Sequence, residues 1–189
     1  MKELSLNILD IAQNSVKAEA DRIFITIDEQ GPRLELTIAD NGHGMKEDFL
    51  KNVLDPFTTT RTTRKVGLGL PLLKMAAEGT GGALFITSVH KEEDEENCGT
   101  TVKATFFTDH IDCPPLGDVV STVVLLIQSA PFSPRYVYRH VKDGKESYLD
   151  TNDLHEQLGD DIPLNEPEIL SFIKDYLGQQ EDALKTGTL

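Results

Sequence analysis

The chain has 189 residues, 39% of them hydrophobic, and a formal net charge of −14, with a sequence pI of about 4.7. That is apolar material for one good core, or for one domain with a smaller appendage. A surface this acidic repels phosphate backbones and anionic lipid, which argues against nucleic acid and membrane surfaces as main partners. The two cysteines, Cys98 and Cys113, form neither a CxxC pair nor a ligand cluster, as expected of a cytoplasmic chain. No secretory leader is expected, because the first residues lead straight into a helix.

That helix is LNILDIAQNSVKAEA, from Leu6. Leu4, Ile8, Ile11, Ala12 and Val16 recur at helical spacing and predict a core-facing stripe. On the opposite arc Asn7, Asp10, Asn14 and Lys17 stand three, four and three residues apart, which aligns them on one face. They read either as a solvated face or as oxygens held for a hard cation, since amides and a short carboxylate are mediocre helix formers.

RIFITIDEQGPRLELTIAD follows, with Ile23, Ile25 and Ile27, then Leu34, Leu36 and Ile38, in strict alternation around a Gly31-Pro32 turn. This predicts a half-buried hairpin. The second strand runs into DNGHGM, Asp40 to Met45, and then into a weakly patterned stretch, Lys46 to Val66. GLGLPLLKMAAEGTGG reads as a glycine-rich entry to a helix that ends at Gly79, Gly81 and Gly82. ALFITSV and TTVKATFF predict a second hairpin, joined by the acidic loop HKEEDEENCG. The Pro114-Pro115 region marks a boundary, giving residues 1–112 and 113–189 as two parts. In the second part VVSTVVLLI, Val119 to Ile127, is too short to cross a bilayer and reads as a buried strand. A hairpin with DGK at its turn and the amphipathic helix EPEILSFIKDYLGQQEDAL complete the chain. Two antiparallel hairpins with interleaved helices predict a two-layer α/β sandwich rather than a doubly wound parallel sheet.

Two segments carry candidate chemistry. DNGHGM is ordinary turn material, or a place where Gly42 and Gly44 admit a close approach to the backbone. GLGLPLLK puts Gly67 and Gly69 at a helix N-terminus, either for tight packing or for phosphate. There is no GxxxxGK[ST], so this is not a P-loop.

Taken in order, DIAQNSVKAEA, DNGHGM, LDPFTTTR, GLGLPLLK and GTTVKATF resemble the N box, adenine motif, F box, second glycine box and last-strand signature of the GHKL ATPase superfamily. The likeness covers residues 4 to about 107 and is nearest the catalytic domain of sensor histidine kinases. It implies a Bergerat-type mixed sheet covered by helices on one face, with ATP and Mg²⁺ as cofactors. It implies that Asn14 holds the Mg²⁺ that bridges the phosphates, and that Asp10 orients or deprotonates the attacking group. Asp40 would accept the adenine amino proton, with Gly42 and Gly44 against the purine. Lys17 would sit near phosphate, and Thr101 near adenine. Phe57 and Thr58 would belong to a lid carrying the cations Arg61, Arg64 and Lys65; Gly67, Leu68, Gly69 and Leu70 would complete the nucleotide contacts.

Lys65 and Val66 stand where kinases of this type commonly have Gly-Thr, and the lid is short. Only nine residues precede DIAQNSVKAEA, so the dimerising helical hairpin with its phospho-accepting histidine is not expected upstream. HEQLGDDIPL at His155 has the wrong spacing to replace it. The resemblance implies a stand-alone kinase acting on a protein partner, with an ATPase or nucleotide-gated switch as the alternative, and it is compatible with a homodimer.

Overall fold

A computed structural model describes residues 3–55, 69–159 and 161–187. The elements run α1 (Leu4–Lys17), β1 (Arg22–Gln30), β2 (Arg33–Asp40), α2 (Glu47–Asn52), α3 (Gly69–Gly79), β3 (Ala83–Val89) and β4 (Gly99–Phe107). They continue with α4 (Val119–Ser129), β5 (Arg135–Lys142), β6 (Lys145–Asp150), α5 (Thr151–Leu158) and α6 (Pro167–Thr186). The strands form one mixed six-stranded sheet in the order β3-β4-β2-β1-β5-β6. All pairs are antiparallel except β1 with β5.

Alternation decides which face is covered. Ile23, Ile25 and Ile27 of β1, Leu36 and Ile38 of β2, Ala104 and Phe106 of β4, and Tyr136 and Tyr138 of β5 are all buried on one side. Against them lie Leu4, Ile8 and Ala12 of α1, Leu73 and Ala77 of α3, and Ile173 and Leu177 of α6. Each leucine, isoleucine or phenylalanine among them contributes about 1.5–3 kcal/mol on leaving water. The other face is open: Phe24 is 43% exposed and Phe85 63%, and Glu35 binds both Arg33 and Lys103 there. This is the α/β sandwich with helices on one face.

One predicted element is of the other kind. Val119 to Ile127 is not a strand but most of helix α4. Its buried residues Val119, Thr122, Val123, Leu126 and Ile127 fall at helical spacing, and the Asp118 carboxylate caps the helix by accepting from the Ser121 N–H at 2.8 Å. Burial against α1 and α6 overrides the β propensity of the branched residues. The strands that extend the sheet are instead β5 and β6, joined at Asp143 and Gly144, both at positive φ. The weakly patterned stretch after Met45 also contains the short helix α2.

α6 is held by more than apolar contact. His140 of β5 is 3% exposed. Its Nδ1 lies 2.8 Å from Glu181 Oε2 of α6, and its Nε2 lies 2.9 Å from Glu29 Oε1 of β1. The Tyr138 hydroxyl donates to Glu181 Oε1 at 2.8 Å, and Lys142 donates to Glu29 Oε2 at 3.2 Å. With a carboxylate oxygen on each ring nitrogen, His140 is an imidazolium. Burial opposes its charge, but the hydrogen bonds to Glu181 and Glu29 outweigh it and raise its pKa to about 9. His140 in turn holds Glu29 below the ordinary carboxylate value; burial pushes Glu181 upward, but His140 and Tyr138 bring it below as well. No helix among the described residues is long and apolar enough to cross a membrane.

Candidate functional site

α1 sets the geometry. Its apolar stripe is buried as the spacing predicts, with Ile8 at 1% and Ala12 at 0% exposure. That turns Asp10 into a half-buried position and Asn14 and Lys17 outward. Asn7 leaves the polar stripe: it is buried. Lys17 ends the helix, where a cation also suits the helix dipole.

Asp40 stands at the end of β2, and three protein donors converge on it. Oδ1 accepts from the N–H of Gly42 at 3.0 Å and of Thr100 at 3.2 Å. Oδ2 accepts from the Ser15 hydroxyl at 2.5 Å. A carboxylate offers about four acceptor sites. Oδ1 is filled and Oδ2 retains one, so the carboxylate is fixed in orientation and still able to take one donor from a ligand.

The sequence singled out neither Ser15 nor Thr100. Ser15 lies one residue beyond Asn14, on the buried side of α1, and nothing local in the sequence marks it. For β4 the register decides: Asp40 is paired with Thr100, while Thr101 is paired with Ala39. Paired residues share a face, so Thr100 is on the side of Asp40 and Thr101 points to the open face. The threonine beside the carboxylate is therefore one position earlier than expected. Its hydroxyl lies 2.9 Å from that of Ser88.

Gly42 and Gly44 are explained by the protein's own backbone. A methyl group on Gly42 would lie 2.6 Å from the Ala18 carbonyl oxygen; one on Gly44, at φ +66°, would lie 1.9 Å from that of Val89. These approaches lock the loop after β2 against the end of α1 and the end of β3. His43 N–H donates to Ala18 O at 2.8 Å and Lys91 N–H to His43 O at 3.0 Å. Gly99, at φ +142°, likewise admits the Asp40 carbonyl.

Gly69 opens α3, and Leu70 behind it is half-buried against the core. Gly69 meets α1 directly: a methyl group there would lie 2.0 Å from Asp10 Oδ2. The structure thus brings Asp10 to the N-terminus of α3, and Asp40 to Ser15, one residue from Asn14. Phe57, Thr58, Arg61, Arg64, Lys65, Gly67 and Leu68 lie outside the described residues. Among the described residues no three His, Cys, Asp or Glu side chains group to hold a metal ion.

Residues 2–110 match the family described as the histidine kinase-, DNA gyrase B-, and HSP90-like ATPases. The chain belongs to this family of ATP-binding, histidine-kinase-like ATPase domains. It is 33% identical over 87 residues to the C4-dicarboxylate transport sensor protein DctB of Pseudomonas aeruginosa, covering 44% of this chain and 14% of that protein. It is 42% identical over 57 residues to the sensory histidine kinase/phosphatase NtrB of Rhizobium meliloti, covering 30% of this chain and 15% of that protein. The chain therefore spans only a small part of the length of these relatives. A crystal structure of the N-terminal domain of a DNA repair protein superposes with a TM-score of 0.53 at 16% identity, covering 79% of this chain and 53% of that one. That likeness concerns the fold alone.

Proposed function

We propose that the chain binds Mg-ATP and transfers the γ-phosphoryl group to a partner protein. The observation that carries the reading is the pre-oriented Asp40 carboxylate with one acceptor site left on Oδ2. It suits the amino group of adenine and disfavours a purine that presents a carbonyl there, which would face an anion. Relatives named as sensor proteins and a sensory histidine kinase support the kinase branch. In this reading residues 1–112 supply the nucleotide site and the cytoplasm supplies the ATP.

Mg²⁺ keeps most of its waters and takes phosphate oxygens, so it asks little of the protein beyond one hard oxygen. The outward amide of Asn14 fits that demand and would hold the ion, which supplies charge neutralisation on the phosphates. Asp10 accepts the proton of the acceptor group as its oxygen or nitrogen bonds to the γ-phosphorus and the bond to the β-phosphate breaks, with ADP leaving. The lid cations Arg61, Arg64 and Lys65 would offset the developing negative charge.

Three measurements test this. Label from γ-phosphate should appear on a protein of a cell extract; release of free phosphate alone would replace the kinase with an ATPase. Asp10→Asn should bind ATP like the parent and lose turnover by about 100-fold or more; unchanged turnover removes Asp10 from the reaction. Asn14→Ala should abolish the difference in ATP affinity with and without Mg²⁺. An undiminished difference would move the ion elsewhere.

A nucleotide-gated switch is the second reading, and one contact favours it. The Pro115 and Leu116 carbonyls accept from the Leu4 and Ser5 N–H groups at 3.0 and 2.8 Å, and Thr122 of α4 reaches the Ser5 carbonyl. The C-terminal region thereby touches the helix that carries Asp10 and Asn14.

A further inference from the structure

Glycine at the start of α3 needs a reason of its own. Unlike Gly44 and Gly99, Gly69 is not at positive φ, so its backbone would accept any side chain. What it lacks is room. A methyl group there would lie 2.0 Å from Asp10 Oδ2 and 3.2 Å from Asp10 Cγ, and near no other described atom outside its own helix and neighbours. Such a contact is far inside van der Waals distance, so something has to give.

The two helices cannot. α3 is anchored one turn on by Leu73 and again by Ala77, both fully buried, and by Pro71. α1 is anchored on either side of Asp10 by Ile8, Ile11 and Ala12. A packed core resists displacement of both backbones. The part that yields is the Asp10 side chain, with two torsions.

We propose that Gly69 is a positioning residue for Asp10: its absent side chain is the space in which the Asp10 carboxylate is held at the mouth of α3. This rests on the reading of Asp10 as the group that orients the phosphoryl acceptor, and it moves Gly69 from a phosphate contact to a support of the reacting carboxylate. The placement is economical. The first turn of a helix has N–H groups without intrahelical partners, and α1 sets the Asp10 carboxylate beside the first residue of α3. A shorter acid than glutamate fits here because the glycine lets the two helices meet closely.

The test is Gly69→Ala. A residue with helical backbone gains from the exchange in the unfolded state, and the displaced atom is the tip of a side chain and not backbone. The variant should therefore fold with a thermal midpoint within about 3 °C of the parent. ATP affinity should change by less than about twofold, while kcat falls by about 10- to 100-fold, the cost of misplacing a reacting group by about 1 Å. In an Asp10→Asn background the same exchange should add less than about a twofold loss, because the carboxylate it displaces is already gone. The Asp10 carboxyl carbon resonance, followed by NMR in nucleotide-free protein, should move in Gly69→Ala whatever happens to turnover. A resonance that stays put would overturn the contact. A fall in ATP affinity of equal size in both backgrounds would overturn the positioning role and return Gly69 to phosphate. A resonance that moves with turnover unchanged would keep the contact but sink both the positioning role and the assignment of Asp10. Turnover unaffected by Asp10→Asn itself would locate the error in the reading of the site.

Discussion

Asp40→Asn should weaken ATP binding by about 100-fold, measured by titration calorimetry with folded protein. The exchange keeps the shape and removes the charge. Three donors aim at this carboxylate, and an asparagine amide satisfies them only with its single oxygen. The Ser15 hydroxyl can turn its proton to the Ile11 carbonyl, 3.3 Å away, and accept from the new NH₂, but the adenine amino group then meets that NH₂, donor against donor. A lost charged hydrogen bond together with a donor left unpaired costs about 3 kcal/mol, which is the stated factor. Ser15→Ala should act in the same direction and less strongly, because Gly42 and Thr100 still hold Oδ1. Binding of ATP by Asp40→Asn at parental affinity would place the purine elsewhere.

His140→Ala should cost about 3–5 kcal/mol of unfolding free energy near neutral pH, read from denaturant midpoints. That is the range for removing one partner of a buried ion pair, and a large share of the stability of a domain this size. Two carboxylates lose their shared cation, and of these Glu181 is 2% exposed. The pH dependence carries a definite sign. The folded pKa of His140, about 9, lies above its ordinary value of 6.5, so its contribution is fully present below 6.5 and lost as pH rises through 9. Glu29 and Glu181 are held below their ordinary value of 4.5, so theirs is present above 4.5 and lost on acidification. Lys142, the Tyr138 hydroxyl and the Ser147 side chain also face the cluster. Parent stability should therefore decline between pH 6.5 and 9 more steeply than that of His140→Ala. Parallel curves across that window would mean the ring is neutral in the native protein.

The covered face of the sheet was legible because Ile23, Ile25, Ile27, Leu36 and Ile38 obey a period of two that no helix could share. The shared face of Asp10 and Asn14 was legible from their helical interval, whereas the roles proposed for them and for Asp40 come from the family resemblance. The failures have physical causes. A nine-residue run such as Val119 to Ile127, polar only at the adjacent Ser121 and Thr122, has too little polar patterning to reveal its period, so helix and strand look alike until a partner surface exists. The threonine beside Asp40 depends on a one-residue register that two adjacent threonines conceal. Ser15 reads as filler until β2 is folded beneath it. His140 was passed over because its partners are 111 and 41 residues away, and nothing local announces either. Gly42 and Gly44 were read as admitting a close approach to the backbone, and another part of the same chain makes that approach.

The parallel alignment of β5 beside β1, from Arg22 against Arg135 to Glu29 against Lys142, has a consequence for anyone dividing this protein. A cut after β4 would not free a nucleotide-binding cassette. It would leave β1 with a raw margin of unmet amides and carbonyls along its full length, the kind of template on which chains stack into fibrils. The trailing hairpin is the selvedge of the sheet, and any transplant of the ATP-binding region has to carry it along.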